Sequence, residues 1–309
     1  MEEFDTALLQ TLYKPPEDSH KGQNGKLLLI GGSHLFHAAS LWALGTASRL
    51  VDMVFYASVP ENNAIVQQAK AEFRDGIVVE RQNVESYVEE ADCVLIGPGM
   101  VRSEMKNERG EMRDLEAINN LENEGEQTYY LTKYLLAKYP HKKWVIDAGA
   151  LQMTDTEWLK NLSQVIVTPH HGEFERVFQE DIKNQSASWR TKIKNGDQSA
   201  KIDDELVAHV AKKYGTIILL KGVEDVVCSP DSCVSVSGGN AGMTKGGTGD
   251  VLAGLVAALS CKNDMYLAAQ CGSYINKRAG DELYKRVGSN FNASGLMMEI
   301  PRVMQALLR

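Results

Sequence analysis

The chain has no CxxC pair, no run of basic residues and no apolar stretch approaching the ~18 uncharged residues that suggest a membrane span, and each absence removes a class of function. Its five cysteines, Cys93, Cys228, Cys233, Cys261 and Cys271, are odd in number, and most sit within apolar or helical runs. They read as buried thiols in a reducing compartment, without a disulfide framework. A net charge of −8 with no Lys/Arg cluster argues against nucleic acid as the main partner, because neutralising phosphates takes a basic surface. An anionic substrate must then be held by a local positive site, which backbone N–H groups can supply. No GxGxxG follows the first apolar run with an acidic residue ~20 positions on, which argues against a nicotinamide-dependent dehydrogenase. The acidic start Met1-Glu2-Glu3-Phe4-Asp5 is unlike a signal peptide, so the expectation is a cytoplasmic protein without a membrane anchor.

What the chain does have is alternation. Short apolar runs at Lys26–Ile30, Met53–Ala57, Ile77–Val79, Cys93–Ile96, Trp144–Ile146, Val165–Val167, Ile217–Leu220, Val226–Cys228 and Val234–Val236 read as strands. Several are apolar throughout, as expected of strands covered on both faces. Amphipathic stretches from about Ala38 and at Val84–Ala91, Tyr130–Tyr139, Leu206–Tyr214 and Asp250–Leu259 read as helices between them. The pattern predicts an α/β fold, a three-layer α/β/α sandwich with a largely parallel central sheet, formed by residues 1–309 as one domain. Two polar segments, 102–127 and 184–204, break the rhythm and read as insertions, lids or loops.

In such a sheet ligands gather at the carboxyl ends of the strands. The turns there are Gly31-Gly32-Ser33, Gly97-Pro98-Gly99, Asp147-Ala148-Gly149-Ala150, Thr168-Pro169-His170-His171-Gly172-Glu173 and Lys221-Gly222. The strongest segment is Ser237 to Asp250, with six glycines in fourteen residues, followed at once by an apolar helix. Glycines let consecutive N–H groups close around an anion, and the helix N-terminus adds partial positive charge. The segment does not fit GxxxxGK[ST], which excludes a Walker-type P-loop. Asp250 by itself can also be read as an N-cap carboxylate, which would not explain the glycines before it. Beside a phosphate cradle, it can also accept a proton from a hydroxyl attacking a terminal phosphoryl group.

Gly246-Gly247-Thr248-Gly249-Asp250 resembles the signature of the ribokinase-like superfamily. The turns above, with Ala38-Ala39 and Gly239-Asn240-Ala241-Gly242-Met243, together resemble the ADP-dependent NAD(P)H-hydrate dehydratases from about Gly25 onward. The resemblance implies that ADP, with ATP as an alternative donor, phosphorylates the ring hydroxyl of the hydrates NADHX and NADPHX (S form). Phosphate is then eliminated to give NADH or NADPH, AMP and inorganic phosphate. It implies Asp250 as base, with Gly247 and Gly249 at the anion hole. The nucleotide would be met by Lys221, Gly222, Val223, Glu224, Asp225, Asn240, Gly246, Thr248 and Gly249. The substrate would be met by Ala38, Gly99, His170 and Asp250. Mg²⁺ is expected for phosphoryl transfer, with Glu173 the one candidate ligand. A homo-oligomer, a tetramer by resemblance, is also implied. The 24 residues before Gly25 leave no room for an epimerase domain, so an NAD(P)H-hydrate epimerase is expected as a partner on another chain. Related kinases carry Asn-x-x-Glu where this chain has His170 and Glu173, which favours the dehydratase over the alternative, a kinase of a vitamin-precursor alcohol such as hydroxymethylpyrimidine or hydroxyethylthiazole. Two positions depart from the family pattern: His171 stands where proline is usual, and His37 where glycine is.

Overall fold

The computed structural model describes residues 1–69, 75–104, 112–184, 202 and 204–308. Its strands are β1 (Glu2–Glu3), β2 (Lys26–Ile30), β3 (Met53–Ala57), β4 (Ile77–Val79), β5 (Cys93–Ile96), β6 (Lys143–Ile146), β7 (Gln164–Val167), β8 (Ile217–Leu220), β9 (Asp225–Cys228) and β10 (Cys233–Val236). They form one sheet in the order β1-β10-β9-β8-β7-β6-β5-β2-β3-β4. Among the described strands only β9 runs against its neighbours, so the sheet is largely parallel. Every apolar run named from the sequence pairs in this sheet, within one residue of its expected ends.

The lack of polar alternation in those runs has a direct cause. Leu28, Ile30, Val94, Ile96, Trp144 and Ile146 point into one apolar cluster, and Leu27, Leu29, Cys93, Leu95 and Val145 into another. Successive side chains face opposite sides of a sheet, so both sides are covered. Helices Val84–Glu90, Glu124–Lys138, His171–Val177 and Asp204–Tyr214 cover the first side. Helices His37–Ala47, Thr248–Ser260, Met265–Val287 and Ala293–Leu307 cover the second. The result is the expected three-layer sandwich.

Some expectations change. Part of the polar segment 102–127 is helical: Leu115–Asn119 forms one helix, and Glu124–Lys138 begins six residues before the expected Tyr130 start, capped by Asn123. Residues 105–111 of that segment, and all of 184–204 except 184, 202 and 204, lie outside the described residues. The reading of all five cysteines as free thiols is corrected. Cys228 and Cys233 are joined by a disulfide, because the β9–β10 hairpin sets them directly opposite in its register. Spacing along the chain showed no CxxC and concealed this cross-strand pair. Cys93, Cys261 and Cys271 are buried and free, and burial pushes the Cys271 thiol up to about 12, where it is unreactive. No helix among the described residues is long and apolar enough to cross a membrane.

The chain order fixes where the chemistry sits. It runs outward from β2 through β3 to β4, then returns to β5 and proceeds the other way through β6, β7 and β8. The order therefore reverses between β2 and β5, and a crevice opens there beyond the carboxyl ends of the strands.

Candidate active site

The loops at this edge pack backbone against backbone. A Cβ on Gly97, which has φ of 126°, would lie 1.8 Å from the Asp147 carbonyl oxygen, so only glycine lets the β5 and β6 loops meet there. Ala148, the next residue after Asp147, is held at φ of 44°, a left-handed conformation uncommon outside glycine. Asp147 is thereby fixed at the end of β6, 2% exposed, with Thr168 Oγ1 donating to its Oδ1 over 2.8 Å.

Lys221 follows β8 and reaches back across this edge. Its Nζ stands 3.0 Å from Asp147 Oδ1 and 3.9 Å from Glu173 Oε2. Burial alone would push the ammonium down, but Asp147, Glu173 and Asp250 together hold it above its ordinary value. A Cβ built on Gly249 would lie 3.4 Å from the same Nζ, so the cation rests against the first turn of helix Thr248–Ser260.

That first turn is open. Its N-cap is Gly247 at φ of 96°, and no side chain among the described residues caps it. Among the described residues nothing accepts from the amides of Gly246, Gly247 or Gly249. Thr248 anchors the turn from beneath, its Oγ1 lying 2.6 Å from Met243 O and 2.9 Å from Lys245 O. Three free N–H groups on a helix N-terminus are an anion cradle. A methyl on Gly247 would meet Trp42 at 2.3 Å. Gly247→Ala is therefore expected to cost about 2–4 kcal/mol through strain and overpacking and to weaken nucleotide binding at least tenfold. Denaturant midpoints and nucleotide titration check both, and an unchanged nucleotide affinity would remove Gly247 from the cradle.

Asp250 is the third residue of the helix, not its N-cap. Burial first, then the Asp147 carboxylate, pushes its carboxyl up from 3.8 to about 7, with Lys221 opposing and Glu173 adding to the rise. A carboxylate that exchanges its proton near neutrality beside an anion cradle is suited to general base work.

Two cavities flank this centre. One, of about 590 Å³, is lined by Lys221, Gly222, Asn240, Thr248 and Gly249 among others. The other, of about 510 Å³, is lined by Phe36, Met100, Gly149 and Glu173. His170 borders both. Its ring and Glu173 form a reciprocal cap of helix His171–Val177: Glu173 N–H donates to His170 Nδ1 (3.2 Å), and His170 N–H donates to Glu173 Oε2 (2.9 Å). The His-x-x-Glu spacing thus has a structural use, and the exposed ring remains open to a ligand.

The other expected site residues fall as follows. Val223 and Glu224 are exposed on the turn between β8 and β9, Val223 to 97%. Asp225 is buried and fully engaged, accepting from Gly222 N–H (2.9 Å), Ser273 Oγ (2.7 Å) and Lys277 Nζ (3.2 Å). It shapes the β8–β9 loop, which lines the 590 Å³ cavity, from within. Asn240 accepts from Gly242 N–H and donates to Asp281 Oδ1, so its side chain also holds its own turn. Ala38 is exposed in the first turn of helix His37–Ala47, and Gly99 packs close behind Phe36 O. The two departures from the family pattern both find partners: His171 Nδ1 lies 3.2 Å from Lys221 O, and His37 Nδ1 lies 3.2 Å from Asn62 Oδ1. Sequence reasoning gave no role to Asp147, although its turn was singled out, and did not notice Lys277. Lys277 Nζ also donates to the carbonyls of Val223 (2.9 Å) and Gly238 (3.2 Å), tying the β8–β9 loop to the loop after β10, and nothing about its mid-helix position signals this.

The family model described as NAD(P)H-hydrate dehydratase matches residues 27–302. A bifunctional NAD(P)H-hydrate repair enzyme of Methanocaldococcus jannaschii is 33% identical over 304 residues, 96% of this chain and 51% of that protein. The chain spans about half the length of this and the similar Archaeoglobus fulgidus relative. The ADP-dependent (S)-NAD(P)H-hydrate dehydratase of Nitrosopumilus maritimus is 30% identical over 93% of this chain and 91% of its own. Among solved structures, the ADP/ATP-dependent NAD(P)H-hydrate dehydratase of Bacillus subtilis, co-crystallised with ATP/Mg²⁺, superposes with a TM-score of 0.74 at 21% identity, covering 99% of this chain and 98% of that one. A ribokinase-like superfamily protein from Enterococcus faecalis superposes at 0.75 and 21% identity, covering 99% and 96%, which fixes the fold as ribokinase-like. The chain belongs to the NAD(P)H-hydrate dehydratase family.

Proposed function

We propose that this protein dehydrates the hydrated nicotinamide cofactors NADHX and NADPHX with ADP as phosphoryl donor, releasing NAD(P)H, AMP and phosphate. The observation that carries the reading is Asp250, a carboxyl poised near pH 7 beside three free amides, between a cavity of nucleotide size and a second one bordered by His170. Asp250 takes the proton of the ring hydroxyl as its oxygen attacks the terminal phosphorus of the donor. Negative charge gathering on the transferring group meets the Gly246, Gly247 and Gly249 amides and Lys221, already oriented before reaction. The P–O bond to the departing AMP breaks, and the substrate hydroxyl becomes a phosphate ester. Hydroxide leaves poorly near neutral pH and phosphate leaves well, so the lone pair of the ring nitrogen expels it. Loss of a proton from the neighbouring ring carbon restores the double bond.

Among the described residues no cluster of three or more His, Cys, Asp or Glu side chains is arranged to hold a metal. Glu173 is engaged by Gln152, His170 N–H and Lys221. Mg²⁺ in this reading comes with the donor phosphates, keeping most of its waters and taking at most one or two protein carboxylates. When bound it neutralises phosphate charge, and no step above depends on where it sits. An NAD(P)H-hydrate epimerase as functional partner, a homotetramer and a cytoplasmic location belong to the same proposal.

The test is absorbance at the NADH band, with hydrate and either ADP or ATP. A rise with ADP is expected. No rise with either nucleotide, together with phosphorylation of a vitamin-precursor alcohol, would replace the dehydratase by a kinase. The pH profile gives a second check. A base must be ionised to act, so kcat/KM should climb about tenfold per pH unit below about 7 and level above it. A flat profile between pH 5 and 8 would take the base role from Asp250.

A further inference from the structure

The cavity of about 510 Å³ is lined by two cations to which the chemistry above gives no role. Arg102 stands in the loop after β5 and Arg176 in the last turn of helix His171–Val177, and both residues are exposed. Arg102 Nη1 donates to Gln152 Oε1 over 3.0 Å. Among the described residues Arg176 makes no hydrogen bond or ion pair. Glu173, one turn before it on the same helix, is engaged instead by Gln152, His170 N–H and Lys221. A guanidinium carries a planar fork of N–H donors, so both forks keep donors free for a ligand.

The charge around this cavity runs against that of the chain, which is −8 overall. Among the described residues its only lining carboxylate is Glu173, which is buried and engaged, so the exposed lining charge is positive. Beyond Arg102 the sign reverses. The neighbouring depression shares Val101 and Arg102 with this cavity and is otherwise lined by Glu61, Glu104, Glu122 and Glu124 among others. An anion is therefore attracted as far as the arginines and repelled past them, which gives the site a place as well as a sign.

That place is set by the catalytic centre. From Lys221, beside Asp250, contacts lead outward through Glu173 and Gln152 to Arg102, at 3.9, 3.0 and 3.0 Å in turn. Two side chains thus separate Lys221 from Arg102, much as a ribose separates a nicotinamide ring from its first phosphate. Phe36 and Met100 give the same cavity an apolar lining suited to the ring. A guanidinium fork meets two phosphate oxygens at once, and a dinucleotide carries its charge in a diphosphate. Resting on the dehydratase reading above, we propose that Arg102 and Arg176 hold the diphosphate of NADHX and NADPHX, and thereby set the ring hydroxyl against Asp250.

Calorimetric titration of the ADP-saturated full chain tests this without needing turnover, using NADH, NADPH and reduced nicotinamide riboside, which has no phosphate. Arg176→Gln should weaken NADH and NADPH alike, by about tenfold, and leave the affinities for the riboside and for ADP unchanged. Arg102→Gln should act in the same direction. Both side chains are exposed, so both variants should fold, which thermal melts check. An equal loss for the riboside would mean that the arginines only shape the cavity. A loss for NADPH alone would mean that they read its additional phosphate. Either result overturns the proposal, as does NADH affinity unmoved by Arg176→Gln or by Arg102→Gln. In turnover of NADHX the variants should raise KM with kcat little changed, because the diphosphate is held equally before and during reaction. If the hydrates are not turned over while the phosphate-dependent loss persists, the dehydratase reading falls and this site stands. Turnover without that loss is the reverse.

Discussion

Asp250→Asn should lose turnover by roughly 10³-fold or more while nucleotide still binds, and should at the same time make the protein more stable. The first effect follows from removing a base while leaving the cradle, whose donors are main-chain amides of Gly246, Gly247 and Gly249 that the substitution does not touch. The second follows from linkage. Asp250 has a folded-state pKa of about 7 against an ordinary 3.8. Between those values the native chain holds a proton that the unfolded chain has released. Stability therefore falls as pH rises from about 4 to 7, and the ionised carboxylate is a standing penalty above that. Asparagine removes the penalty. After discounting for partial solvent screening, the gain at pH 8 is on the order of 2 kcal/mol, a Tm rise of a few degrees, and it should vanish at pH 4. Activity, nucleotide titration and thermal melts at the two pH values test the set. A variant equally inactive but destabilised at pH 8 would mean that Asp250 is a structural cap and not a strained base.

Most of the layering was legible because it depends on local runs: strands buried on both faces must be apolar throughout, and β2, β5 and β6 are. The Gly246–Asp250 turn was legible for a similar reason, since glycine clusters before a helix have few other uses. What could not be read were relations between distant residues. Asp147 and Lys221 are 74 positions apart, and only the parallel order β6-β7-β8 brings them together. Lys277 meets Asp225 because helix Met265–Val287 crosses the sheet, which no motif encodes. The Cys228–Cys233 bond depends on hairpin register, and Arg81 is buried because helices Leu115–Asn119 and Glu124–Lys138 pack beside it, its Nη1 donating to Gln127 Oε1. Within the turns, a glycine read as a substrate contact is a close-approach position as well: a Cβ on Gly99 would lie 2.5 Å from Phe36 O.

Lys221→Met should be the most damaging single change to the charge cluster, and it should act on activity and stability by one cause. Lys221 is the cation facing Asp147 and Glu173, whose side chains are 2% and 7% exposed. Removing it leaves buried carboxylates uncompensated, a loss of about 3–5 kcal/mol, tempered by the hydrogen bonds from Thr168 to Asp147 and from Gln152 to Glu173. The raised pKa of Lys221 means that its contribution is present in full at neutral pH and is lost only as pH rises through that raised value, so the damage should appear throughout pH 5–9. Lys221 is also the group that opposes the rise of Asp250. Without it the base holds its proton more tightly, the acid limb of kcat/KM moves to higher pH, and the rate at pH 7 falls beyond the tenfold expected from losing a phosphate contact. Asp147→Asn should move the limb the other way, because it removes the charge that pushes Asp250 up while Thr168 can still donate to the new amide oxygen. The double variant Lys221→Met/Asp147→Asn should therefore recover much of the stability and bring the limb back towards 7, a coupling of roughly 1–3 kcal/mol. If the two effects on stability merely add, Lys221 and Asp147 are independent of each other, and if neither single variant moves the limb, the tuning of Asp250 comes from burial alone.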